Sequence, residues 1–161
     1  MSSVLDAIGA RKHMLIDYVP HARALGLSVV DAKPGEAWLR VPYAEHLVGN
    51  TETGVIHGGV ITTLLDNCAG VAVMTALDEL KSIATLDLRI DYMKPATPGL
   101  DVIGYCRCYK VTRNVAFVHG SAYHADPDDP IATTAMTFML GANRTLPAVS
   151  AEARRSRGEG H

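Results

Sequence analysis

The sequence predicts an α+β domain in which a curved antiparallel sheet of about six strands wraps around one long central helix. Three observations carry this reading. The stretch 60–77 is apolar around most of a helical circumference, so other structure has to enclose it. Most of the chain after it alternates with a period of two, as strands do. No second substantial helix is available to cover the apolar face of so large a sheet.

Taken in order, residues 1–24 read as a short helical lead-in with a break at Pro20. Residues 25–30 form a short apolar strand, and 31–35 (Asp-Ala-Lys-Pro-Gly) a turn. Residues 36–41 are the second strand of a hairpin, stopped by Pro42. A loop over 43–56 carries Gly49, Asn50 and Gly54. The helix opens at His57-Gly58-Gly59 and is roughly 27 Å long at about 1.5 Å per residue. In 83–92, Leu86, Leu88 and Ile90 fall on one face, and Thr85, Asp87, Arg89 and Asp91 on the other. After a turn at 95–99, strands follow at 100–111, 115–125 and 131–141. Thr112-Arg113-Asn114 and Asp126-Pro127-Asp128-Asp129-Pro130 are their tight connections. From about Asn143 the composition turns to Pro, Ser, Glu, Arg and Gly. The domain is therefore expected over 25–142, with a disordered tail over 143–161.

A chain of 161 residues with 48% hydrophobic and 20% charged residues suits one domain with a real core. A net charge of −2 gives no general attraction to nucleic acid or to an anionic membrane. A phosphorylated ligand would need a local cluster of cations. Cys68, Cys106 and Cys108 do not make a disulfide framework, and Cys-Arg-Cys without a second ligand pair is a poor zinc site. They read as small buried hydrophobes in a reducing compartment. No secretory signal opens the chain, which points to a cytoplasmic protein. Asp66 in the middle of the apolar stretch argues against a membrane span, since a central Asp costs roughly 2.5–3.5 kcal/mol there. His119 and His124 face opposite sides of one strand, and no convergent metal set is seen.

The chemistry concentrates in His57 to Asn67, HGGVITTLLDN. Two glycines at a helix start let a ligand approach the unpaired first-turn N–H groups, which suit an oxyanion. They could equally serve tight packing of the helix on the sheet. Asp66 among Leu64, Leu65, Cys68 and Val71 is costly to bury unless it is paired or useful. A structural role, bonded to the backbone or to Asn67, is its plain alternative. Gly58 and Asp66 stand eight residues apart, roughly 12 Å along one helix, so one reacting carbon cannot touch both. If both act on one substrate, they come from two subunits, and a dimer belongs to the catalytic hypothesis.

HGGVITTLLDN, the later TLDLRIDYMKPATPG over 85–99 and the hairpin with Arg113 together resemble the phenylacetic-acid-degradation type of hotdog thioesterase. The resemblance covers residues 25–141. It implies the hotdog fold, hydrolysis of acyl-CoA thioesters, a homodimer often doubled to a homotetramer, and neither metal nor cofactor. By the same resemblance, Asp66 matches the catalytic carboxylate, as base or nucleophile, and Gly58 the glycine whose N–H polarises the thioester carbonyl. His57 would orient that turn, with Gly59 beside it at the substrate. Asn50 resembles a polar loop residue that positions water or carbonyl. Thr85 matches a hydroxyl-bearing position near the reacting centre. Arg89, Lys94, Arg113 and the tail residues Arg154, Arg155 and Arg157 are candidates for the CoA phosphates, with Arg113 foremost. Each could also be a solvated surface charge.

Two other functions compete. A hotdog hydratase or dehydratase would need a histidine placed for proton abstraction, for which His57 is the one proposal. A non-catalytic acyl-CoA sensor would not need a carboxylate at a site as costly as that of Asp66.

Overall fold

The computed structural model describes Ile16 and residues 18–143. The lead-in before Ile16 and the tail from residue 144 lie outside the described residues. Ile16 is helical, Tyr18 and Val19 are not, and Pro20 opens the short helix α1 (Pro20–Ala24), where its missing N–H costs nothing at a first helical position. Gly26, at φ 72°, turns the chain into β1 (Ser28–Lys33). That strand begins later than expected and includes Asp31, so only Pro34 and Gly35 remain as the turn. Gly35 takes φ 75° there, a value open to glycine. Strand β2 (Glu36–Val41) follows as expected, with Ala37, Leu39 and Val41 pointing into the core.

The loop before the long helix holds more structure than its sequence suggested. A single 3₁₀ turn (Glu45–Leu47) leads into β3 (Val48–Asn50), which pairs with β4 (Val55–Ile56) as a small separate ribbon. Helix α2 (Gly58–Ala76) comes next, then β5 (Lys81–Tyr92), β6 (Val102–Val111), β7 (Val115–Tyr123) and β8 (Ala132–Asn143). The six long strands form one antiparallel sheet in the order β1-β2-β6-β7-β8-β5, and all six contact α2. This is the expected hotdog arrangement, with β1 and β5 at the two edges.

The core lies between α2 and the sheet. Leu39, Val41, Leu64, Leu65, Val71, Val102, Val118 and Ile131 are fully buried in it. Each such side chain contributes about 1.5–3 kcal/mol of apolar burial. Cys68 and Cys106 lie in the same core as free thiols, and burial pushes the Cys106 thiol up. α2 is long and apolar enough to span a membrane, yet Val60, Ile61, Leu64, Leu65, Cys68 and Val71 are spent on this core. It is not enclosed all round within one chain, however. Gly59 is exposed, and Thr62, Thr63, Asp66 and Asn67 are half-buried along one stripe.

β5 departs from simple alternation. Its register with β8 shifts between Thr85 and Asp87, as at a β-bulge. Before the shift Ile83 and Thr85 face α2, and after it Leu88 and Ile90 pack on the core. Leu86 sits at the shift, is 51% exposed, and does not share the buried face with Leu88 and Ile90. Period-two reading assumes an unbroken ladder, and one extra residue reverses the faces.

Candidate active site

His57 caps α2. Its Nδ1 accepts the Gly59 N–H at 2.9 Å, so a neutral ring carries its proton on Nε2. Its own N–H donates to the Leu47 carbonyl at 2.9 Å, which ties the helix start to the 3₁₀ turn. Gly49 packs against it so closely that a Cβ there would stand 2.8 Å from His57 Cα.

Because His57 takes the Gly59 N–H, the two glycines are not equivalent. The Gly58 N–H has no acceptor among the described residues, and it lies at the positive end of the helix dipole. The Gly58 carbonyl is held from the other side. Tyr92 Oη donates to it at 2.7 Å and Thr62 Oγ1 at 3.2 Å, and the two hydroxyls are 2.9 Å apart. Tyr92, the last residue of β5, was not among the residues singled out from sequence. Its only signal there was a hydroxyl ending the series Leu88, Ile90, Tyr92. Gly58, Tyr92 and Lys94 line one cavity of about 320 Å³ with Val55, Ile61 and Pro95.

Asp66 lies two turns further along α2. It is half-buried, not enclosed in the core as its apolar neighbours suggested. Its Oδ1 accepts the Thr85 hydroxyl at 2.8 Å, while Oδ2 has no hydrogen-bond partner among the described residues. Asn67 is not its partner, because Asn67 Nδ2 donates to the Thr63 carbonyl at 2.8 Å. Asp66, Asn67 and Thr85 form the polar end of a second cavity of about 210 Å³. A carboxylate with one oxygen anchored and one free can accept a proton from water, or attack an electrophile itself.

The remaining expected residues are dispersed. Asn50 is exposed at the end of β3, where its Oδ1 accepts the Glu52 N–H at 3.0 Å. Lys94 pairs with Asp129 and lines the Gly58 cavity. Arg89 pairs with Asp91 at 3.2 Å, both exposed, away from Thr85. Arg113 is exposed between β6 and β7, outside both cavities. The structure thus brings together Asp66 with Thr85, and His57 with Gly58 and Gly59, as two separate groups on one helix. No group of three or more His, Cys, Asp or Glu side chains among the described residues could hold a metal ion.

An antiparallel sheet closed on one helix, with a carboxylate and a helix-start N–H along that helix, defines a hotdog protein. The Thioesterase superfamily profile matches residues 53–131. The medium/long-chain acyl-CoA thioesterase YigI of Salmonella typhimurium is 37% identical over 157 residues, spanning 88% of this chain and 100% of that protein. A Halobacterium salinarum protein that bears the name putative esterase is 44% identical over 79 residues, 47% of this chain and 52% of that protein. A Pseudomonas aeruginosa crystal structure superposes with a TM-score of 0.74 at 45% identity, covering 81% of this chain and 96% of that one. The Escherichia coli PaaI protein from the phenylacetic acid degradation operon shares the fold, with a TM-score of 0.76 at 14% identity over 88% of this chain and 98% of that one. The chain belongs to the thioesterase superfamily and has the hotdog fold.

Proposed function

We propose that this chain hydrolyses acyl-CoA thioesters to free acid and CoA, as a cytoplasmic homodimer with each site shared between subunits. The observation that carries the reading is the arrangement on α2. A free N–H at Gly58 and an anchored carboxylate at Asp66 stand eight residues, roughly 12 Å, apart on one rigid element. Two such helices laid antiparallel across a two-fold axis bring the Gly58 of one next to the Asp66 of the other.

In this site the Gly58 N–H donates to the thioester carbonyl oxygen, and the loop of Asn50 packs against His57 through Gly49. Asp66 Oδ2 takes a proton from water while Thr85 holds Oδ1. The resulting hydroxide adds to the carbonyl carbon, and negative charge gathers on oxygen at the helix start, where the N–H and dipole stabilise it. Collapse breaks the C–S bond, and the CoA sulfur takes the proton from Asp66. Lys94, in the cavity beside Gly58, is better placed for a CoA phosphate than Arg89 or Arg113. The named activity of the YigI relative supports the choice of substrate.

Free-thiol release from a panel of acyl-CoAs tests the reading. Asp66→Asn is expected to lower kcat by about 10²–10⁴-fold, the usual worth of a positioned base. Wild-type kcat in that variant would remove Asp66 from the reaction. Tight binding without hydrolysis by the wild type would favour an acyl-CoA sensor, and hydration of an enoyl-CoA would favour the hydratase.

A further inference from the structure

The cavity at Asp66 has a second, unassigned feature: it changes character along its length. Its polar end is Asp66, Asn67 and Thr85. From there it follows α2 past Gly70 and Val71 to Met74, and Ile83, Phe138, Ile16 and Val19 supply the walls. Asp66, Gly70 and Met74 are spaced one per helical turn, so the groove runs along the helix axis.

Gly70 is out of place by local rules. Glycine is the least favourable residue short of proline in a helix interior, and this one is buried in the middle of α2. Packing within the chain does not demand it. A Cβ at Gly70 would meet one neighbour, Ile83 Cδ1, at an ordinary 3.6 Å. By contrast, a Cβ at Gly104, where the sheet closes on α2, would stand 3.0 Å from Leu64 Cγ. What the missing side chain of Gly70 does provide is open space in the groove one turn beyond the carboxylate.

We propose that this groove receives the acyl chain of the substrate, and that Gly70 is the residue that sets the chain length it accepts. This rests on the reading of Asp66 as the reacting group. With the thioester carbon at Asp66, the acyl chain lies over Gly70 with Ile83 at its side and meets Met74 at the far end. Asp66 to Met74 spans roughly 12 Å of helix. An extended C–C bond of about 1.5 Å advances a chain by roughly 1.3 Å, so about nine carbons fill the groove. The expected substrates are unbranched aliphatic acyl-CoAs of medium length.

The test measures kcat/KM for saturated acyl-CoAs from four to sixteen carbons in wild type, Gly70→Ala, Gly70→Val and Met74→Ala. Gly70→Val should lower the ratio of decanoyl-CoA to butyryl-CoA turnover at least about 10-fold, the lower bound for a misfit of this size. Gly70→Ala should lower it less, and its single 3.6 Å contact lets it fold even if the valine variant does not. Met74→Ala should move the optimum to longer chains. An equal loss at every chain length, or a dimer that dissociates on size-exclusion chromatography, would overturn the proposal and make Gly70 a packing residue. Full activity of Asp66→Asn would instead bring down the reading beneath it.

Discussion

Thr85 Oγ1 donates a hydrogen bond to Asp66 Oδ1 at 2.8 Å, joining the edge strand β5 to the middle of α2. The contact depends on the register shift beside Thr85, which keeps Thr85 on the helix side while Leu88 and Ile90 still reach the core. A hydrogen bond to a charged group is worth about 1.5–3 kcal/mol. Thr85→Val should therefore lower kcat by roughly 10–100-fold, and Thr85→Ser, which keeps the hydroxyl, should stay within a few-fold of wild type. Thr85 is exposed, so water replaces much of the bond in the free enzyme, and Tm should fall by no more than a few degrees in Thr85→Val. Wild-type kcat in Thr85→Val would show that the bond only decorates the site.

Gly58 and Asp66 of one chain cannot meet at one substrate, and this makes the shared site testable by mixing. Gly58→Val should abolish activity, because its side chain crowds the free N–H and would press on Tyr92 Oη, already 3.3 Å from a Cβ there. Asp66→Asn should be inactive for its own reason. Unfolded together and refolded, the two chains should recover about a quarter of wild-type activity, since half the dimers are mixed and each holds one intact site of two. No recovery, with mixed dimers confirmed by mass, would count against a site shared between subunits.

Tyr92 fixes the peptide that follows Gly58. Tyr92→Phe removes the hydroxyl that bonds both the Gly58 carbonyl and Thr62 Oγ1. Since Tyr92 is half open to solvent, water replaces part of the bond, and the stability loss should be about 0.5–1 kcal/mol. The loss in kcat should be larger than that change in stability implies, because the helix start is where charge develops. Denaturant melts and thiol-release kinetics on the same variant separate the two. A kcat that does not change would make Tyr92 a packing residue alone.

How far the sequence could be read depended on how local each signal was. β2 was legible to its ends because Ala37, Leu39 and Val41 alternate cleanly and Pro42 stops them. The start of α2 was legible because His57-Gly58-Gly59 acts within one turn. Leu86 was misread because a register shift is a property of two strands, and the sequence of one strand carries no trace of its partner. The same limit hid the reach of Tyr92 to Gly58, 34 residues apart in the chain, while the loop ribbon β3–β4 was hidden because its strands are too short to show alternation. Asp66 stood out from composition, but its exposure did not, because the open stripe of α2 is uncovered only once the sheet is seen to leave it so.

Asp101 supplies a pH dependence that reaches the loop carrying Asn50. Its carboxylate accepts the Tyr43 N–H at 2.9 Å and the Arg40 Nε–H at 2.8 Å, and these two bonds, the backbone one first, hold its pKa below the usual value of 3.8. Tyr43 in turn donates its hydroxyl to the Gly54 carbonyl at 2.9 Å, at the far side of the same loop. A depressed carboxylate contributes stability that is fully present above its unfolded pKa and is lost as pH falls through the folded one. The stability gap between wild type and Asp101→Asn should therefore be constant above about pH 5 and narrow below about pH 4. Both partners of the ion pair are more than a third exposed, so the gap should stay near or under about 1 kcal/mol. Denaturant unfolding at a series of pH values measures it. A gap that widens toward acid pH would mean that the Arg40–Asp101 pair does not brace the loop.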